Sequence, residues 1–240
     1  LDRHKIRLHD SQRHMHFAWV GDLVCKKEAV RMNFARFFRA VQDAPWYAHF
    51  LNPVLDALKS LPKDASVLDV GTGPGKLIEF GRKELDLHWV GADTDQAMLA
   101  EARQRPTLRD VRFEHLTAGA PLPFPNGSFD AVTFCSVLFA IPEPAPLLEE
   151  SWRTLRPRGR LLSLTPTGQG QVRSAVLRQI GLSPANATFF LWRLMTSSSG
   201  RAWLQRDVLE SFARSHQADY RREIVFNGLA LLETVEADGA

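Results

Sequence analysis

The sequence predicts an α/β protein with a doubly wound, seven-stranded, mostly parallel sheet that ends in an antiparallel hairpin. Between residues 66 and 166, short apolar runs typical of buried strands alternate with segments of helical periodicity. A glycine-rich turn at residues 71–75 (GTGPG) joins the first apolar run to a helical segment. Near the other end, an Asn-Gly pair at residues 227–228 separates two more strand-like runs and predicts a hairpin.

A segment with helical periodicity precedes this alternating region. Residues 20–60 carry apolar side chains at helical spacing, interrupted at Pro45. We therefore predict an N-terminal helical arm or lid over residues 1–60 and a second unit over residues 61–240. A helical insertion is predicted at 168–215, with a loop at the Ser-Ser-Ser-Gly stretch of residues 197–200.

The elements of the second unit follow in order. The predicted strands are SVLDVG, HWVGAD, VRFEHL, FDAVTFCSV and GRLLSLTP, followed by the two strands of the hairpin. The helical segments between them are KLIEFGRKEL, QAMLAEARQ and PAPLLEESWRTL. Strands that alternate with helices of this length indicate βαβ units, and βαβ units build parallel sheets.

The charge of the chain is uneven. Residues 1–40 hold nine Lys and Arg against four Asp and Glu, so 9 − 4 makes this arm +5, whereas the whole chain is +3. A nearly neutral body disfavours a nucleic-acid partner. The arm interleaves its basic residues with phenylalanines, which permits a peripheral contact with an anionic membrane or a lid helix with a solvated basic face. The basic set is Lys26, Lys27, Arg31, Arg36 and Arg39.

The remaining composition excludes several classes. The only cysteines, Cys25 and Cys135, cannot form a disulfide framework and fit a reducing compartment. The first residues, LDRHKIRLHD, lack the apolar core of a secretory signal, so we expect a cytoplasmic protein. The most apolar run, residues 132–141, is too short to span a bilayer. Histidines near the N-terminus lack a third ligand at fixed spacing, and we predict no metal site.

The spacing of the glycine turn separates two kinds of ligand loop. A dinucleotide loop, G-x-G-x-x-G, requires a third glycine where Lys76 stands, and the phosphate-binding P-loop pattern is also absent. What remains is an acid on the strand, Asp69, followed by G-x-G-x-G. A second acid, Asp93, ends the next predicted strand, where a carboxylate can accept two hydrogen bonds from a ribose diol. Asp95 is better placed to cap the following helix.

Four segments in this order resemble the class I S-adenosylmethionine (SAM)-dependent methyltransferases, over roughly residues 65–165. They are VLDVGTGPG, VGADTDQAML, LPFPNGSFDAV and LRPRGRLL. The sequence of these segments is most similar to the small-molecule methyltransferases that include the ubiquinone and menaquinone biosynthesis enzymes. The resemblance implies a Rossmann-like methyltransferase fold, SAM as cofactor and S-adenosylhomocysteine as product.

The resemblance also implies a set of cofactor contacts. Asp93 is the expected ribose ligand, and Asp69 is expected to hold either the turn or the methionine amino group. Two departures stand out: Ala118 occupies the position where many relatives place an adenine-binding Asp, and Arg158 replaces the first glycine of a Pro-Gly-Gly turn. The implied contacts are Asp69, Gly71, Thr72, Gly73, Gly75, Asp93, Thr94, Thr117, Ala118 and Cys135.

The acceptor side reads as apolar. The loop from Cys135 to Pro142 is almost wholly apolar, and aromatic residues upstream and downstream either line a hydrophobic acceptor site or pack in the core. The candidates for a general base are Tyr47, His49 and His16, while His115 is expected to pack. The aromatic candidates for the lining are Phe37, Phe38, Trp46, Tyr47, Phe50, Phe189, Phe190 and Trp192, together with Met195.

These features predict direct in-line methyl transfer to a small, partly apolar acceptor. One alternative is a phospholipid or quinone methyltransferase that works at a membrane surface through the basic arm. A second is a SAM-binding scaffold or regulator without catalysis. The sequence leaves open the acceptor atom (O, N, C or S) and the oligomeric state.

Overall fold

The computed structural model describes residues 31–237, apart from the side chain of residue 179. Within this range the chain forms one seven-stranded sheet flanked by helices. The strands are β1 (Ser66–Val70), β2 (His88–Asp93), β3 (Arg112–His115), β4 (Phe129–Cys135), β5 (Leu155–Pro166), β6 (Asp219–Val225) and β7 (Ala230–Glu236).

The helices surround the sheet on both faces. In the described range they are α1 (31–43), α2 (Pro45–Leu58), α3 (Lys76–Glu84), α4 (Gln96–Arg103), α5 (Ala145–Thr154), α6 (Val172–Ala175), α7 (Thr188–Leu204) and α8 (Val208–Ser215). A π-helical turn, Val176–Ile180, continues α6.

The order of the strands confirms the predicted topology. The sheet runs β3-β2-β1-β4-β5-β7-β6, with parallel pairing from β3 to β5. β7 is antiparallel to β5, and β6 is antiparallel to β7, so the last two strands form the predicted hairpin. The chain order reverses between β1 and β4, which places a ligand crevice at their carboxyl ends.

Each inner strand is buried on both faces because neighbouring residues enter different cores. Val67 of β1 belongs to the core that α2 and α3 cover, whereas Leu68 belongs to the core that α5 and α8 cover. Ala131 and Val132 of β4 divide in the same way. This explains the continuous apolar runs in the sequence, since strands covered by helices on both sides need no polar face.

The Ser-Ser-Ser-Gly stretch differs from the prediction. Residues 197–200 lie inside α7 and do not form a loop. A Cβ atom at Gly200 would collide with the carbonyl oxygen of Pro166, so the small residues let α7 approach the end of β5 closely. Close packing against the sheet outweighs the poor helix propensity of this stretch.

His115 also differs from the prediction that it packs. Its side chain is exposed, and its Nε2 atom lies 3.1 Å from the carbonyl oxygen of Thr94. The residue ends β3, which is an edge strand of the sheet, so solvent reaches it.

The turn at Arg158 lies on the surface of the protein. Arg158 is exposed and has a φ of +63°, the left-handed conformation that glycine adopts most easily. The arginine therefore leaves the turn in place within β5, between the paired residues Leu155 and Arg160.

Candidate active site

The glycine turn leaves β1 in a conformation that requires glycine. Gly71, Gly73 and Gly75 have φ values of +71°, +53° and +77°. A Cβ atom at Gly71 would also collide with the side chain of Val137, which follows β4. The turn is thus packed against the loop after β4, at the point where the chain order of the sheet reverses.

Asp93 holds the turn from the end of β2. Its carboxylate accepts hydrogen bonds from the backbone N–H of Gly73 (2.8 Å) and of Asp95 (2.9 Å). Burial raises the pKa of Asp93, although the backbone donors oppose that rise. A carboxylate offers about four acceptor positions, so two remain for a ribose diol. Asp95 caps α4 as predicted, accepting from the N–H of Ala97 at 2.8 Å.

Asp69 is buried near the carboxyl end of β1. The hydroxyl of Thr133, on the neighbouring strand β4, donates to its carboxylate at 2.8 Å. Burial raises the pKa of Asp69 to about 6, against the opposing effect of the Thr72 and Thr133 hydroxyls. Among residues 31–237 no cationic side chain forms an ion pair with Asp69, and a buried carboxylate in this state is a suitable partner for the ammonium group of an amino acid.

Tyr47 reaches the same region from α2. Its hydroxyl accepts a hydrogen bond from the Nε2 atom of Gln42 at 3.3 Å. Burial raises the pKa of Tyr47 above its usual range, and Cys135 and Asp69 raise it further. Tyr47 is therefore a neutral phenol at neutral pH, which suits hydrogen bonding to a ligand better than proton abstraction.

Cys135 ends β4 beside these groups. Its thiol is free, and burial, then the charge of Asp69, raises its pKa well above the ordinary value. A thiol in such surroundings stays protonated and is a poor nucleophile. Cys135 thus fits a packing or contact role at the site.

The other predicted site residues divide into three groups. Thr94 is exposed just after β2, and Thr117 and Ala118 are exposed just after β3, so all three lie along the same edge of the sheet as Asp93. His49 is half-buried on α2, and no hydrogen bond joins its side chain to another described residue. His16 lies outside the described residues.

The predicted aromatic lining is replaced in large part by core packing. The Trp46 ring lies 5.0 Å from that of Trp192, and the Phe50 and Trp192 rings lie 5.1 Å apart between their centroids. Phe189 joins the same cluster. Leu138, in the loop after β4, is also fully buried. The sequence leaves these aromatic residues either in an acceptor pocket or in the core. The structure places them in the core, where α2 packs against α7.

Sequence reasoning missed Gln42 of α1, which covers the glycine turn together with Phe38, one of the predicted lining residues. A Cβ atom at Gly73 would lie 3.6 Å from the Nε2 atom of Gln42 and 3.7 Å from the Phe38 ring. The Oε1 atom of Gln42 is buried and has no hydrogen-bond partner among residues 31–237. An unpaired buried acceptor beside the turn is a polar position that a ligand can satisfy.

An ion-pair network ties α1 to the turn. The Asp43 carboxylate lies 2.8 Å from Lys76 Nζ and 2.8 Å from a terminal nitrogen of Arg105. Glu79 pairs with the same two cations. Arg105 also donates to the carbonyl of Pro74 within the turn at 2.6 Å. Partial burial raises the pKa of Asp43, but bonds from the two cations outweigh it and hold that pKa below its ordinary value.

Asp43→Asn is expected to loosen this network. Loss of one carboxylate leaves Glu79 to balance both cations, and we expect about 1 kcal/mol of lost stability, or a melting temperature lower by about 2–4 °C. Differential scanning calorimetry measures the change. Asp56→Asn is the matched control because Lys59 is the one ion-pair partner of Asp56 among residues 31–237, on the exposed side of α2. An equal shift in both variants would contradict a special role for Asp43.

Two described arginines of the N-terminal arm, Arg36 and Arg39, face the body of the protein. Arg39 lies 3.0 Å and Arg36 3.5 Å from the carboxylate of Glu101, which is buried on α4. Lys26 and Lys27 lie outside the described residues. This part of the basic face is therefore engaged with α4, so membrane contact through the arm remains a prediction.

Comparison with known proteins decides the family. Residues 68–163, which run from β1 to β5, match the family model described as a methyltransferase domain. Residues 68–163 thus carry a methyltransferase domain, and the proteins that this chain resembles are the class I SAM-dependent methyltransferases. SAM is the cofactor of this family.

Two curated relatives of the methyltransferase domain are demethylmenaquinone methyltransferases. The protein of Thermus thermophilus is 38% identical over 110 residues, which cover 45% of this chain and 49% of that protein. The protein of Deinococcus radiodurans is 36% identical over 162 residues, which cover 60% of this chain and 63% of that protein. The chain thus aligns with about half to under two thirds of the length of these relatives.

Solved structures share the fold of the methyltransferase domain. A Methanococcus maripaludis protein with a proposed SAM-dependent methyltransferase function has a TM-score of 0.66 at 14% identity, covering 87% of this chain and 94% of that one. A SAM-dependent methyltransferase from Aquifex aeolicus has a TM-score of 0.55 at 16% identity, covering 85% and 97%. At these identities the similarity establishes the fold.

Proposed function

We propose that the protein transfers the methyl group of SAM to a small, partly apolar acceptor by direct in-line displacement. The observation that carries the proposal is the meeting of three features at one edge of the sheet. These are the glycine turn, the two acids Asp69 and Asp93, and the apolar loop after β4 that packs on Gly71. A cofactor held by the first two would have its reactive end beside apolar groups.

Each site residue has a separate proposed role in the transfer. SAM supplies an electrophilic methyl group on a positively charged sulfur. Asp93 and the turn hold the ribose side, and Asp69 and the unpaired Oε1 atom of Gln42 are available to the ammonium group. Tyr47 and Val137 border the region where the acceptor enters. The protein's main contribution is orientation and exclusion of water, because a preformed sulfonium needs no activation by the enzyme.

A quinone is the acceptor class that the relatives favour. Both relatives described above bear the name demethylmenaquinone methyltransferase. The apolar loop after β4 and the neutral groups Tyr47 and Cys135 are compatible with an aromatic, uncharged acceptor. We therefore propose a quinone-type acceptor as the more specific candidate, and a phospholipid headgroup as its alternative.

An acceptor screen tests the proposal. The protein is incubated with SAM and with short-chain demethylmenaquinol, catechol-type phenols or phosphoethanolamine, and S-adenosylhomocysteine is measured by mass spectrometry. We expect turnover with the quinol or phenols and none with phosphoethanolamine. SAM binding with no turnover on any acceptor would favour the non-catalytic scaffold, and absence of SAM binding would reject the proposal as a whole.

A further inference from the structure

One side of α7 exposes apolar residues that no other described element covers. Leu194 is 78% exposed and Phe190 is 55% exposed. Phe189 and Trp192, on the opposite side of the helix, are buried in the aromatic cluster. Helical spacing therefore gives α7 a core side and a second apolar side in solvent. The exposed set is Phe190, Leu191, Leu194 and Met195.

Two more exposed leucines come from the segment before α7. Leu177 and Leu182 are 78% and 86% exposed. The backbone around them is held in place, because the side chain of Asn186 donates to the carbonyl of Ile180 at 2.5 Å and accepts from the N–H of Trp46 at 3.1 Å. We call these two leucines and the exposed set of α7 the insertion face.

The segment that carries the insertion face has charge of one sign only. Residues 168–206 contain no Asp, Glu or Lys. In the part of the chain that the structure describes, none of their guanidinium groups lies within ion-pair distance of a carboxylate, and three of them donate to backbone carbonyls. The arginines are Arg173, Arg178, Arg193, Arg201 and Arg206.

We propose that the insertion face docks on the surface of a bilayer that contains anionic phospholipids. Exposed leucine and phenylalanine side chains gain free energy when they enter the boundary between headgroups and acyl chains. Arginines beside them attract anionic headgroups, at about 1 kcal/mol for each basic residue near the surface. The combination of apolar side chains with unpaired arginines is typical of a peripheral membrane contact.

The charge of the insertion face favours a bilayer over a second copy of this chain. A second copy of this chain, docked face to face, would bring arginines against arginines, which opposes association. Among the described helices none has the length and apolar character needed to cross a membrane. Large exposed apolar patches rimmed by polar groups are otherwise rare on monomeric proteins.

The insertion face lies one helix layer from the candidate active site. α7 packs through Trp192 against Phe50 of α2, and α2 carries Tyr47 beside Cys135 and Asp69. Docking would hold the acceptor side of the fold near the lipid phase. The inference goes beyond the proposed function, and it is tested without SAM or acceptor, so failure of one is distinguishable from failure of the other.

Vesicle co-sedimentation tests the inference. The full chain is mixed with phosphatidylcholine vesicles or with vesicles in which about one third of the lipid is phosphatidylglycerol, and the bound fraction is measured at low and high salt. We expect binding to the anionic vesicles that weakens as salt rises. Phe190→Glu with Leu194→Glu should lower the partition coefficient at least about tenfold. Arg173→Gln with Arg178→Gln should lower it about tenfold on anionic vesicles alone.

Matched controls separate the insertion face from other surfaces. Ile224→Glu replaces an apolar residue that is 60% exposed on the edge strand β6, and it should leave vesicle binding unchanged. Phe37→Glu alters the exposed side of α1 and tests the basic arm. Calorimetric unfolding checks that each variant folds, and Leu194→Gln is the milder replacement if the double variant does not.

The contrary outcomes are specific. The inference is overturned if the unmodified chain does not bind anionic vesicles, or if it binds them as well after both double substitutions. Loss of binding in Phe37→Glu alone would assign the contact to the N-terminal arm. A change of oligomeric state in the Phe190→Glu, Leu194→Glu variant, with vesicle binding intact, would assign the face to contact between two copies.

Discussion

Asp93→Ala is expected to lower the affinity for SAM by about 10- to 100-fold. The substitution removes the acceptor that the ribose diol is proposed to use, and it also releases the N–H of Gly73 from the bond that holds the turn. Hydrogen bonds to a charged group contribute about 1.5–3 kcal/mol, which corresponds to this range. Isothermal titration calorimetry with SAM measures the change directly.

Asp95→Ala provides the control for that measurement. Asp95 is two residues away and also carboxylate-bearing, but it caps α4 through the N–H of Ala97. Loss of the cap should cost about 1 kcal/mol of stability and leave SAM affinity within a few-fold of the original. Unchanged affinity in Asp93→Ala would remove the ribose assignment, and an equal loss in both variants would show that the effect is one of folding.

The second large effect concerns pH. We expect SAM affinity to be about tenfold weaker at pH 5 than at pH 8, because the pKa of Asp69 in the cofactor-free protein is about 6. Below that value the buried carboxyl is protonated and no longer attracts an ammonium group. Asp69→Asn should weaken binding at pH 8 by about 10- to 100-fold and abolish the pH dependence.

Stability should change with pH in the opposite sense when SAM is absent. The folded protein binds the Asp69 proton more tightly than the unfolded chain, since burial raises the pKa from an ordinary value of 3.8. The stabilisation of the folded state by protonation of Asp69 is therefore fully present below pH 4 and is lost as the pH rises through 6. The free energy of unfolding, measured with urea at a series of pH values for the original protein and for Asp69→Asn, isolates the contribution of this group.

Thr133→Val sharpens the test of Asp69. The Thr133 hydroxyl donates to the carboxylate and so lowers its pKa. Its removal should move the midpoint of the pH profile for SAM binding to higher pH, whereas Asp93, which stays in place, cannot account for such a move. A midpoint that does not respond to Thr133→Val would indicate that another group produces the profile.

The sequence was sufficient for the sheet because the signals of its strands are local. Continuous apolar runs predicted strands buried on both faces, and the Asn-Gly pair predicted the terminal hairpin. The glycine turn was equally predictable from the sequence, because three residues with left-handed backbone conformation in one short turn leave almost no alternative to glycine. The capping role of Asp95 follows from its position before a helical segment.

The features that the sequence analysis did not predict depend on contacts between distant parts of the chain. Gln42 faces Gly73, and Asp43 pairs with Lys76 and Arg105, through contacts that span more than 30 residues and carry no periodic signal. The Ser-Ser-Ser-Gly stretch is helical only because α7 packs against β5. Local propensity predicts neither result.

The sequence alone determined the order of the elements, the glycine turn and the positions of Asp69 and Asp93, because each depends on residues close together in the chain. Only the tertiary structure decided which aromatic residues are core, which arginines are paired and which side of α7 is left in solvent. Trp46 and Trp192 are both large aromatic residues in helical segments, as is Phe190, yet the first two pack and the third is exposed. Burial is a property of the surface that a side chain meets, and that surface exists only once the chain has folded.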